Sequence, residues 1–124
     1  GIGAAAARQA AQAGQPFAVA TSTPALAAPI DALMTAHAGN ATYVGCFCAD
    51  ADPAALMSDQ EALDAALMAQ INRAYAAGAA CVIIGGGPLG TAAERLRAAS
   101  PVPLINPILS AARALRLLIE SEHA

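Results

Sequence analysis

The sequence predicts an α/β fold: a small parallel sheet with helices on both faces. Three observations carry that reading. Short apolar, β-branched runs alternate with longer Ala/Leu-rich runs; the longer runs repeat their apolar residues at helical spacing; and proline-marked turns separate the two kinds of segment. A helix between successive strands makes each connection a crossover, which suits parallel rather than hairpin pairing. Four runs qualify as strands: Phe17–Ser22, Thr42–Cys48, Cys81–Gly85 and Val102–Ile105.

The helical segments follow from their periodicity. Leu26, Ile30, Leu33, Met34 and His37 fall at i, i+4, i+7, i+8 and i+11, and Leu63, Leu67, Ile71, Ala74 and Tyr75 repeat nearly the same stripe. Further helices are expected over about Ala4–Ala13, Pro88–Ala98 and Pro107–Ile119, the last stabilised by an Arg116/Glu120 pair at i, i+4. Ser58 and Glu61 have the S-x-x-E spacing of a capping box ahead of the Leu63 helix. His37 stands just before the expected helix end at Ala38-Gly39, where a histidine interacts favourably with the helix dipole; His123, near the C-terminus, is expected in solvent. Neither histidine has a nucleophile partner in sequence.

A chain of 124 residues, 57% hydrophobic, has the size of one domain with a substantial core. Its net charge is -3, its six basic residues are all Arg, and only 3% of it is aromatic, so nothing marks a nucleic-acid-binding surface. Without Lys the chain offers no Schiff-base amine, which excludes lysine-anchored pyridoxal phosphate chemistry on its own residues. No apolar run has the length of a membrane span and no signal-peptide pattern is present, so the expected location is cytoplasmic. Cys46, Cys48 and Cys81 lie in apolar strand segments and are expected to be reduced, inert core thiols. Cys46 and Cys48, two residues apart, share a strand face and match neither a CxxC redox motif nor a zinc knuckle.

The strand-to-helix turns hold the functional signal. Thr23-Pro24, Gly87-Pro88 and Asn106-Pro107 each place a favourable N-cap residue before a proline at the first helical position. In a parallel sheet such turns gather at the carboxyl edge, where helix N-termini present free N–H groups and the positive end of the dipole. With hydroxyls at Thr21, Ser22 and Thr23 beside them, the edge is expected to bind an anion such as a carboxylate. Asp50 and Asp52 also follow a strand, but two loop carboxylates without a third ligand suit turn and cap roles better than a metal site. The glycine loop at Gly85–Gly90 matches GxGxxG through Gly85, Gly87 and Gly90, but in the third strand of the series and without the acidic residue a dinucleotide ribose requires. Read as a P-loop, it has Thr91 where the phosphate-binding lysine belongs.

Taken in order, FAVATSTP (17–24), YVGCFCADADP (43–53), CVIIGGGPLG (81–90) and VPLINPILSAARAL (102–115) resemble the C-terminal half of the aspartate/glutamate/hydantoin racemase superfamily. The resemblance implies a three-layer αβα lobe over residues 1–124, the C-terminal part of a two-lobed enzyme whose N-terminal lobe is missing here. In that family each lobe supplies one cysteine: one thiolate removes a Cα proton and the other thiol protonates the opposite face, with no metal or cofactor. The second-lobe motif runs from an apolar strand into Gly-Cys, which aligns its glycine with Gly85 and its catalytic cysteine with Gly86, so the thiol is absent. The opening Gly1-Ile2-Gly3-Ala4 resembles the interlobe segment, with Ala4 where the family often carries Glu or Gln. The implied substrate is a small carboxylate or hydantoin-like cyclic amide held by Thr21, Ser22, Thr23 and the turn at Gly86, Gly87 and Pro88. Three alternatives stay open: a lyase resembling the arylmalonate decarboxylases, which needs one acid only; a non-catalytic carboxylate-binding protein; and a homo-oligomer whose second copy forms the opposing wall. Cys48 would replace the missing thiol only if its strand ended beside the site.

Overall fold

In the computed structural model, which describes residues 2–85 and 90–123, the chain runs α1 (Ile2–Gln12), β1 (Phe17–Thr21), a 3-10 turn (Pro24–Leu26), α2 (Ala27–His37), β2 (Tyr43–Cys48), α3 (Pro53–Met57), α4 (Gln60–Ala76), β3 (Cys81–Gly85), α5 (Gly90–Leu96), β4 (Leu104–Ile105) and α6 (Pro107–His123). Among the described residues the strands form one sheet in the order β2-β1-β3-β4, and every pairing is parallel. The expected three-layer α/β architecture is therefore present. One sheet face packs Ala18, Ala20, Val82, Ile84 and Leu104 against α3, α4 and α5, mainly through Leu56, Leu63, Leu67, Ile71, Ala93 and Leu96. The other packs Phe17, Val19, Ile83 and Ile105 against Ala6, Ala7 and Ala10 of α1 and Met34 of α2. Phe17, Leu67, Ile71, Ile83 and Ile84 are fully buried, and each contributes roughly 1.5–3 kcal/mol of transfer free energy.

Strand limits agree with the sequence to within two residues: β1 stops at Thr21, β2 starts at Tyr43, and β4 begins at Leu104. In β2 the register slips once. Phe17 is opposite Tyr43 but Ala18 is opposite Gly45, so Val44 is an extra residue. Gly45 absorbs the kink at φ +146°, a backbone conformation side chains other than hydrogen rarely allow. Beyond the bulge, Cys46 is opposite Val19 and Cys48 opposite Thr21, so both thiols lie on the α1/α2 face, as their spacing implies.

Two local expectations are corrected. The Leu63 helix is not capped by a Ser58/Glu61 box. Ser58 ends α3 in helical conformation (φ -87°, ψ -6°) and its hydroxyl donates to the Ala55 carbonyl, whereas Asp59 is extended (φ -138°, ψ 102°) and its carboxylate accepts from the Ala62 N–H at 3.2 Å. An N-cap residue must have non-helical backbone, and the unanticipated helix α3 denies that to Ser58. In α6, no ion pair joins Arg116 to Glu120 among the described residues; both are exposed, where such a pair would add only a few tenths of a kcal/mol. The helix is longer than expected and runs to His123.

Because the cap is Asp59, Asp59→Ala should lower the unfolding free energy by about 1 kcal/mol, while Ser58→Ala should change it by less than about half of that. Urea denaturation of the two variants beside the parent checks the assignment.

Candidate functional site at the carboxyl edge

The sheet order places the site. From β1 the chain crosses to β2 on one side, and β3 pairs with β1 on the other, so the connections leaving β1 and β3 diverge to opposite faces and open a crevice at their carboxyl ends. The parallel register sets Thr21 directly opposite Gly85 on one side and Cys48 on the other. The hydroxyl triplet and the start of the glycine loop thus meet at the switch point, although 64 positions separate Thr21 from Gly85 in sequence.

Each hydroxyl has a distinct setting. Thr21 and Ser22 are buried, and Thr23 is half-buried. The Thr21 carbonyl accepts from the Ala49 N–H at 3.0 Å, and its Oγ1 accepts from the Thr23 N–H at 3.2 Å, which folds the chain sharply as it leaves the sheet. Ser22 Oγ is buried with no hydrogen-bond partner among the described residues. An orphaned buried hydroxyl costs on the order of 1–3 kcal/mol, a cost a ligand acceptor would remove. Thr23 precedes Pro24 as expected, but its side chain makes no capping bond, and the turn that follows is a short 3-10 segment rather than the start of α2. Thr23 therefore does not cap this turn with its side chain as foreseen from sequence.

Gly86, Gly87 and Pro88 lie outside the described residues. Their neighbour Gly85 is described: a Cβ added there would lie 2.8 Å from Val19 Cγ1 and 3.3 Å from Ile30 Cδ1. Glycine at this position is demanded by close packing of β1 and α2 beneath the strand end. The third expected turn is occupied by another contact: the Asn106 side chain hydrogen-bonds Glu94, whose carboxyl is held below its usual range chiefly by Arg97. Arg97, just past α5, also donates to the Leu104 carbonyl at 2.8 Å, tying the exit of α5 to the start of β4.

A fourth turn has the same design, and it bears out the cap role expected for Asp52. Asp52 precedes Pro53, is extended at ψ 118°, and accepts from the Ala54 N–H at 3.1 Å. The dipeptide Asp-Pro after a strand was the available signal. That bond gives Asp52 a structural role, while Asp50 is exposed; no cluster of three potential metal ligands occurs among the described residues. No helix among them is long and apolar enough to cross a membrane.

The thiols are held in their protonated form. Burial, with smaller contributions from Asp31 and Cys48, pushes Cys46 up to about 11, and burial likewise raises Cys48 and Cys81. Cys48 does end its strand at the carboxyl edge beside Thr21, and its Sγ donates to the Ala49 carbonyl at 3.6 Å. A raised thiol is a poor base, so Cys48 in this setting does not supply a thiolate. Where α2 ends, His37 is the last residue, half-buried at the negative end of the helix as its position implied.

Comparison with known proteins extends this picture. The family model for the Asp/Glu/hydantoin racemases matches residues 1–115. Among solved structures, allantoin racemase from Pseudomonas fluorescens superposes with a TM-score of 0.82 at 18% identity, over 98% of this chain and 52% of that one, a likeness of fold. The chain thus spans about half the length of that racemase. No curated protein matches the sequence.

Two measurements follow. Gly85→Ala should cost about 1–3 kcal/mol of stability by overpacking, and Val19→Ala in the same chain should recover part of it, as judged by thermal melts of the single and double variants. All three thiol shifts are upward, so the folded chain keeps protons that the unfolded chain releases above about pH 9. Stability should therefore fall as pH rises from 9 toward 11, and Cys46→Ala should flatten that slope in denaturant titrations at successive pH values.

Proposed function

The chain belongs to the Asp/Glu/hydantoin racemase family, and from that membership we propose that residues 1–124 form one lobe of a cofactor-independent racemase-type enzyme acting at an acidic Cα–H. The substrate is a small carboxylate or a cyclic amide. Its carbonyl lies over the β1/β3 crevice, where donors from Ser22, Thr23 and the backbone of the Gly86-Gly87 turn stabilise the enolate-like charge that develops as the Cα proton leaves. The orphaned Ser22 hydroxyl at the switch point is the observation that carries this reading: it is a buried donor with no described partner, in the place where α/β sheets bind ligands.

The proton-accepting thiolate comes from the N-terminal lobe, which this chain does not include. At Gly86 the second acid/base group is missing, so reprotonation depends on the same thiol or on solvent. Where α6 runs past the core, Leu115, Leu117, Leu118 and Ile119 are exposed, an apolar surface suited to a second lobe. Gly86 also favours a second reading: in a decarboxylation, departure of carbon dioxide generates the carbanion without a base, and one thiol suffices to protonate it.

The test is Cα hydrogen–deuterium exchange, followed by NMR, with the complete natural polypeptide in D₂O and a panel of aspartate, glutamate, hydantoins and arylmalonates. Exchange, with or without racemisation, is expected. Turnover of malonates alone would select the decarboxylase, and silence across the panel would overturn carbanion chemistry in favour of a binding protein.

A further inference from the structure

We draw no further inference here: the strongest candidate, the exposed apolar face of α6 at Leu115, Leu118 and Ile119, belongs to the second-lobe contact already proposed, and nothing in the structure shows what else would cover it.

Discussion

The structure depends on β1 being bonded on both sides. A five-residue strand paired in parallel to β2 and to β3, with helices over both faces, has no edge and no wet side, so Phe17 to Ala20 must be apolar, and all four are buried. Polar atoms can enter only where the strand stops. That constraint places Thr21 and Ser22 at the carboxyl end, and the same double pairing brings Gly85 and Cys48 to flank them. The crevice is thus a product of sheet order: a strand added at one edge only would leave successive connections on one side and no divergence between them.

Much of this was legible in the chain, because burial on both faces turns strands into continuous apolar runs and amphipathic helices into stripes. Cys81–Gly85 was read to the residue, and the stripes through Leu33 and Leu67 identified α2 and α4. Sequence reasoning failed where one short element changes the meaning of the next. The stretch from Pro53 to Met57 is too short to show a period, yet once it is helical Ser58 belongs to its end, and capping passes to Asp59. The bulge at Gly45 escaped for a similar reason: strict alternation would put Val44 on the face of Cys46, whereas Val44 packs with Phe47 on the opposite one.

The candidate site was half visible. Three consecutive hydroxyl residues after a strand and a glycine loop after another are local signals, but their meeting depends on strand order, which no local pattern encodes. The electrostatics of the edge were harder to foresee. Prolines and cap residues pointed to a positive rim, yet the Thr23 and Asp52 turns spend their groups within the chain, and Asn106 bonds Glu94. Counting helix N-termini overstates attraction for anions when the connecting segments carry their own acids.

The kink at Gly45 has a consequence outside the chemistry. β2 lies at the border of the sheet, and its six residues, Tyr43 to Cys48, include no charge and no proline, the usual guards against one molecule adding its strand to another. An extra residue twists that border and breaks the evenly spaced row of N–H and C=O groups that a foreign strand would need. A glycine remote from any reacting atom thereby protects the solubility of the folded chain, and replacing it with a residue that straightens the border would trade a local irregularity for a template on which copies could assemble.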